Sequence, residues 1–576
     1  MDQQRNLFVA IGISIAILIG FQVFYERIFP PKPVPPQTQT TTAVPGQAAS
    51  PGQTGASAPG VQGAVQAASR ESVIAQSPRV AIATPRLKGS INLTGGRVDD
   101  LTLTGYRETT DPDSPEIVLL APDGTAHPYF LQFGWVPSDP AVKVPGPDTR
   151  WSASRGDLTP DHAVDLTWDN GAGLKFTRHI AVDADYMFTV TDSVTSTAKE
   201  KVTLYSYGLV SRAGPPPATT TYLLHEGPIG VLDGTLKEIK YATLKDEPPQ
   251  EFDSVGGWLG ITDKYWLSAL IPDQKEAIKA RFTHVERDQA DLWQVDYRGA
   301  PQALDPGASV SAASHFFAGA KLVSLLDRYE VQDQIPRFDR AIDFGWFYFL
   351  TKPIFLALDF FYKLLGNFGL AIMLLTVIIK LAFFPLANKS YRAMGKMKLL
   401  QPEIQKLREK YPDDKEKLNK EMMALYKRVG ANPMAGCLPI VIQIPVFFSL
   451  YKVLYVTIEM RQAPFYGWIH DLSVPDPTTF VNLFGLLPYA PPDIAFLHSV
   501  LHIGAWPLIM GVTMFLQQKL NPAPPDPIQA KMFMVLPFVF TVMLAQFAAG
   551  LVIYWSWNNL LSIAQQWTIM RRARKA

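Results

Sequence analysis

One basic residue stands inside an apolar run: Lys380, in Leu370-Ala-Ile-Met-Leu-Leu-Thr-Val-Ile-Ile-Lys-Leu-Ala-Phe-Phe-Pro-Leu386. An ammonium inside a membrane span costs roughly 2.5–3.5 kcal/mol on insertion scales, so it is kept chiefly where it meets water or a partner. Two readings stay open. Lys380 marks a functional site, or it lies about 9 Å from the cytosolic end of its span, at 1.5 Å per residue, and snorkels to the surface. Thr376 lies one helical turn before it, and Tyr554, Asn558, Ser562 and Gln566 form a second polar row at four-residue spacing. Gln443, Thr513 and Gln546 add polar groups in other apolar runs. Polar residues in spans face the bundle interior, so these form either a hydrated groove or interhelical glue.

This chemistry is binding, not bond-making. The chain has no Walker motif, no nucleophile elbow and no HExxH spacing. His127, His162, His179, His225, His284 and His315 are scattered, and His498 and His502 share a helical face without a third metal ligand. The reading therefore includes no cofactor and no metal. A single cysteine, Cys437, excludes an internal disulfide framework.

The residues that could carry function sit in a chain of two materials. Hydrophobic residues make up 47% and charged residues 18%, but the long apolar runs lie after Phe344 and at the N-terminus. Leu7 to Tyr25 is long enough to span a bilayer and is followed by Glu26-Arg27-Ile-Phe-Pro-Pro with no cleavage site, so 1–29 reads as a signal anchor. The Pro-, Gln-, Thr- and Ala-rich stretch 30–86 reads as a disordered tether. Residues 87–330 alternate in short segments with turns: Ser90-Ile-Asn-Leu-Thr, Gly95-Gly96, then Arg97-Val-Asp-Asp-Leu-Thr-Leu-Thr. Lys175–Val182 and Lys201–Tyr207 continue the pattern, which predicts one large all-β sandwich.

Residues 344–366 predict an interfacial amphipathic helix, Trp346 to Leu365, with Lys352, Asp359 and Lys363 on one face. The domain 367–576 then predicts spans at about Gly369–Leu386, Cys437–Ile458, Val500–Leu516, Met532–Phe547 and Leu551–Ile569. With the anchor these make six. Between Ala387 and Asn432 there are twelve Lys or Arg, against Arg461 alone from Glu459 to Ser499. The basic loop and the tail Arg571-Arg572-Ala-Arg574-Lys575 are therefore expected in the cytoplasm, as is the N-terminus, with the β domain outside. Lys452, near the outer end of its span, is expected to snorkel.

The basic loop, 387–433, has its own pattern. Met397, Leu400, Ile404 and Leu407 repeat at three-four spacing, as do Leu418, Met422, Leu425 and Val429. Pro412 separates them and Asp413 with Glu416 is placed as a capping box, so two antiparallel helices are expected. Their lysines suit acidic lipid or RNA, or are a solvated face that only fixes topology.

Four separated motifs resemble the YidC/Oxa family of membrane protein insertases: Gln401-Pro-Glu-Ile-Gln-Lys-Leu-Arg, Asn432-Pro-Met-Ala-Gly-Cys-Leu-Pro-Ile-Val-Ile-Gln-Ile-Pro-Val-Phe, Arg461-Gln-Ala-Pro-Phe-Tyr-Gly-Trp-Ile-His-Asp-Leu-Ser and Gly550-Leu-Val-Ile-Tyr-Trp-Ser-Trp-Asn-Asn-Leu. The resemblance covers about Phe344 to Ala576, while the anchor, tether and β domain match the Gram-negative form in layout. Thr479–Ser499 is longer and more apolar than the family pattern, which leaves the start of the span near 500–516 unfixed.

The resemblance implies a polytopic inner-membrane protein that takes nascent hydrophobic segments into the bilayer, alone or beside the Sec translocon. It implies a polar groove with Lys380 in the place of the family's usual arginine, lined by Thr376, Gln443, Tyr554, Trp555, Asn558 and Ser562. The hairpin residues Met394, Met397, Lys398, Met422, Met423 and Lys427 would make early contact with client or ribosome. Anionic lipid is a further expected partner, and no specific nucleic acid sequence is. The tether and the interfacial helix lead to the expectation that the β domain is isolated from the groove. Two rivals are a secondary transporter, which should show repeated halves that this sequence lacks, and a carbohydrate-processing enzyme acting through the β domain.

Overall fold

A computed structural model describes residues 68–214, 224–287, 290–345, 347–412, 414–429, 438–487, 489, 498–521 and 527–575. The expected anchor and most of the expected tether lie outside them, as do Trp346, Asp413 and Cys437.

The β domain is a sandwich of a ten-stranded and a nine-stranded sheet. The first runs Gln250–Val255, Ala277–Arg287, Ala290–Leu304, Val202–Ala213, Tyr129–Pro137, Arg97–Arg107, Leu87–Asn92, Arg79–Ala83 and Asp157–Leu158, with Glu116–Leu120 also paired to Arg97–Arg107. The second runs Thr235–Glu238, Gly227–Leu232, Trp258–Thr262, Trp266–Pro272, Ser309–Ala320, Met187–Ser196, Leu174–Val182, Val164–Asp169 and Ser152–Ala153. Alternation sets the burial: in Leu174–Val182 the residues Leu174, Phe176, Arg178, Ile180 and Val182 point inward. Arg178 is the charged exception. Its guanidinium pairs with Asp192 at 2.7 Å and donates to the Gly96 carbonyl at 2.9 Å, so a fully satisfied buried ion pair ties one sheet to the other. The expected turn is present, with Asn92 opposite Arg97 and Gly95 and Gly96 at φ +82° and +63°.

The tether expectation needs correcting at its end. A short helix, Arg70–Ile74, and the strand Arg79–Ala83 belong to the sandwich. Arg79-Val-Ala-Ile-Ala alternates as a strand does, with Val80 and Ile82 buried, and Arg79 pairs with Asp99. The composition of the preceding sequence hid this local pattern.

After the sandwich come α1 (Val323–Gln332), α2 (Tyr348–Leu365), α3 (Phe368–Ala382), α4 (Phe384–Leu399), α5 (Gln401–Lys410), α6 (Lys415–Val429), α7 (Leu438–Val456), α8 (Ala505–Leu520), α9 (Pro527–Leu544) and α10 (Ala549–Lys575). Gly366, at φ +67°, ends α2, and Asn367 caps α3 by accepting the Leu370 N–H at 3.1 Å. Lys352, expected on the polar face of an interfacial helix, is tied into the junction with the sandwich. Its ammonium bonds Asp327 on α1 at 2.8 Å and Asp339 at 2.7 Å, while Lys363 pairs with Asp359 one turn away.

The expected span Gly369–Leu386 stops at Ala382. Pro385 cannot continue the ladder, and the chain turns by 69° into α4. Lys380 thus sits in the last turn of a 15-residue helix, roughly 22 Å long and shorter than a hydrocarbon core. Among the described residues no single helix is long and apolar enough to cross a membrane, and α3 with α4 qualify only as a bent pair. The span expected from Val500 begins at Ala505.

The hairpin forms as a seam of Leu400, Ile404 and Leu425 with Met397, Leu407, Met422 and Tyr426 against it. Pro402 breaks its first arm into α4 and α5. The cap of α6 is Asp414, which accepts the Lys417 N–H at 2.9 Å, one residue later than the expected Asp413.

The two domains share one continuous apolar core, running from Phe316 and Phe317 through Phe338 and Phe344 to Leu358 and Leu450. Lys452 does not snorkel: it pairs with Asp343 at 2.8 Å. Glu459, just past α7, accepts the Val323 N–H at 3.0 Å at the start of α1, where a helix end favours an anion. Arg461 and Gln462 donate to the carbonyls of Glu108 and Arg107 at 3.3 and 3.1 Å. The β domain is therefore bonded to the helical domain, through residues other than those of the expected groove. The bonds gather at the C-terminal end of α7, because charges spaced far apart in sequence find partners only once the sandwich has folded.

Candidate polar groove

The polar row on α10 faces inward: Tyr554, Asn558, Ser562 and Gln566 are all buried. A four-residue spacing keeps them on one stripe of the helix. From α3, the Lys380 ammonium donates to the Ser562 hydroxyl at 2.7 Å, and Ser562 in turn donates to the Asn558 carbonyl at 2.8 Å. From α7, the Gln443 amide donates to the Tyr554 hydroxyl at 2.7 Å and to the Asn558 side-chain oxygen at 3.0 Å. Three helices thus close on one polar seam.

Beside the seam is a cavity of about 40 Å³, lined by Lys380, Tyr391, Gln443 and Gln565 with Ile379, Phe383, Leu386, Ala387 and Val446. That is room for about one to three waters, not for a polypeptide. Lys380, Ser562, Gln443, Tyr554 and Asn558 satisfy one another in this seam, while the Gln565 side-chain nitrogen at the cavity wall is buried without a hydrogen-bond partner.

Two sequence-expected members stand apart. Thr376 is buried with its hydroxyl spent on the Ile372 carbonyl at 2.7 Å, a bond within its own helix. Trp555 packs edge-on against Phe447 at 4.8 Å, on an apolar face with Met510, Leu544 and Val552. Further polar groups knit the bundle: Asn559 donates to Thr513 at 3.2 Å and Gln566 to Asn521 at 3.1 Å, whereas Gln546 is exposed.

Tyr391, Gln565 and Trp557 escaped the sequence reading. Trp557 donates to the Met373 carbonyl at 3.1 Å and fixes α10 against α3. Gln565, adjacent to the polar row, was a detectable signal; Tyr391 was not, because it lies beyond the bend that brings α4 back beside α10.

The hairpin residues divide. Met394 is buried against Tyr391 and Ile569, and Met397 and Met422 fill the seam between the arms. Met423 and Lys427 are exposed and Lys398 is half-buried. Just past α7, burial pushes the Glu459 carboxyl up to about 7, with Asp359 adding to the effect.

Comparison with known proteins matches the family description "YidC periplasmic domain" to residues 79–357 and "60Kd inner membrane protein" to residues 360–576. The "Membrane protein insertase YidC" of Granulibacter bethesdensis is 51% identical over 587 residues, covering 100% of this chain and 98% of its own. Those of Methylobacterium nodulans and Rhizobium meliloti are each 52% identical, covering 99% of this chain and 95% and 96% of theirs.

Proposed function

The chain belongs to the YidC/Oxa family of membrane protein insertases, and from that premise we propose that its polar seam is the groove that receives a client's polar flank. It is an insertase of nascent membrane proteins in the inner membrane, with a periplasmic β-sandwich, and not an enzyme.

The observation that carries the groove reading is the mutual satisfaction of Lys380 with Ser562 and of Gln443 with Tyr554 and Asn558. A polar flank entering the seam exchanges these bonds one for another. Such exchange is nearly neutral, whereas crossing hydrocarbon with the same groups unpaired costs several kcal/mol. Lys380 adds attraction for acidic groups, with a single ammonium in place of a planar fork. The client's apolar segment then moves into lipid, and its burial, on the order of 25 cal/mol per Å², drives the process without a nucleotide. Membrane potential adds about 2.3 kcal/mol per charge per 100 mV for acidic residues.

In this reading six spans place both termini and the hairpin in the cytoplasm. The twelve basic residues of the loop support it, as do the bonds from Arg461 and Gln462 to the β domain at the opposite end of α7. Lys427 and Met423 on the hairpin make the first contacts with client or ribosome, and the hairpin's lysines rest near anionic lipid. The family resemblance adds the Sec translocon to this reading, with insertion alone or beside it.

Photo-crosslinking tests the groove. A crosslinker at Tyr554 should capture a stalled nascent span, and one at Leu560, exposed on another face of α10, should not. Equal capture from both positions would remove the groove reading.

A further inference from the structure

Between Thr479 and Tyr489 the chain carries no charged residue. Phe480, Leu483, Phe484, Leu486, Leu487 and Tyr489 are between 40% and 82% exposed. A contiguous apolar surface of this kind marks an interaction site, not a solvated loop.

The loop is held in shape. Thr479 accepts the Val481 N–H at 3.2 Å and donates to the Leu501 carbonyl at 2.5 Å. Asn482 accepts the Gly485 N–H at 2.9 Å and donates to the Tyr489 carbonyl at 3.3 Å, while the Tyr489 hydroxyl bonds the Val481 carbonyl. Leu483 and Phe484 sit at φ +52° and +60°, where residues with bulky side chains are rarely found. Such backbone persists only where its surroundings over-determine it, and it clusters at functional positions. Polar groups are spent on the loop's own backbone, and the large apolar side chains are left outside.

Its place in the chain says what covers it. The loop joins α7 to α8, both in the membrane domain, and the Phe480 N–H bonds the Ile503 carbonyl at 3.2 Å just before α8 begins. Exposed Ile509, Val512 and Leu516 continue an apolar face along α8 at helical spacing. Arg461 and Gln462, earlier in the same connection, bond the β domain. We infer that Phe480 to Leu487, together with Tyr489, form a wedge seated in the periplasmic leaflet, its partner being the acyl chains of phospholipid. The assignment to that leaflet rests on the orientation proposed above. With no charge on the loop, the contact depends on apolar burial, so it needs neither anionic lipid nor low salt.

The test uses the full chain with Cys437→Ser and single reporter cysteines, Leu486→Cys in the wedge and Glu108→Cys on the exposed surface of the β domain. In liposomes of phosphatidylcholine alone, an environment-sensitive fluorophore at 486 should emit blue-shifted light and lose emission when the acyl chains are brominated. The same label at 108 should do neither. In intact cells an impermeant thiol reagent admitted to the periplasm should modify 108 and spare 486. If 108 reacts and 486 reacts equally, with no quenching by brominated lipid, the wedge is wrong while the orientation stands. If 486 is shielded but unquenched, a protein surface covers the loop and the lipid assignment falls. If 108 is unreactive from the periplasm, the orientation and the leaflet assignment fail together.

Discussion

Asp343 and Lys452 stand 2.8 Å apart across the junction of the sandwich and the helical domain. Lys452 and the groove residue Gln443 are on the same helix, nine residues or about 14 Å apart, so the β domain grips the helix that closes the groove. Removing Asp343 leaves a partly buried ammonium short of its carboxylate. Asp343→Ala should lower the stability of the junction by about 1–3 kcal/mol, read as faster proteolysis between the domains. Together with Lys452→Ala, a double-mutant cycle should return a coupling of about 1 kcal/mol; additive losses would mean that the pair contributes nothing.

A second prediction concerns pH. The Glu459 carboxyl is raised from 4.5 to about 7 in the folded chain, chiefly by burial. Because the folded state holds the proton more tightly than the unfolded state, this stabilisation is full below about pH 4.5 and is lost as pH rises through 7. Glu459→Gln should therefore flatten the fall in melting temperature between pH 5 and pH 8, a difference of about 1–3 kcal/mol at the alkaline end. An unchanged slope in the variant would assign the pH dependence to other groups.

The groove's polar row was legible because α10 is a regular helix, and spacing alone puts Tyr554, Asn558, Ser562 and Gln566 on one stripe. Its partners were only half legible: Lys380 and Gln443 announce themselves as polar residues in apolar runs, but which hydroxyl each meets depends on packing between helices. Thr376 shows the opposite failure, since the helix's own backbone satisfies its hydroxyl. The sandwich was legible from alternation and the Gly95-Gly96 turn. Its docking was not, because Lys452 read as a snorkelling lysine and Lys352 as part of the polar face of an interfacial helix until Asp343, Asp327 and Asp339 are brought beside them by the fold.

A third prediction follows from the bond between Glu459 and the Val323 N–H. A deletion of the sandwich that keeps α1 and everything after it should insert clients better than one that begins at Arg337, because only the first retains the partners of Glu459 and the Asp327 bond to Lys352. Equal insertion by the two, measured with matched amounts of protein in membranes, would show that the junction does not support the groove.

In the hairpin, seam and surface can be separated. Leu425→Ala should loosen the pairing of α5 with α6 by about 1–3 kcal/mol and increase hydrogen exchange in both arms. Met423→Ser with Lys427→Ala should leave exchange unchanged and weaken capture of a nascent chain. Normal capture by the surface variant would leave the hairpin with a topological role only.

The most direct test of the groove is the charge that enters it. In proteoliposomes, Lys380→Arg should keep insertion of a client whose translocated tail carries two acidic residues, and Lys380→Ala should slow that client about tenfold, the loss of roughly 1.4 kcal/mol of charge attraction, while sparing a client with a neutral tail. Equal insertion of both clients by Lys380→Ala would mean that the ammonium does not meet the client, and the account of the groove would be wrong.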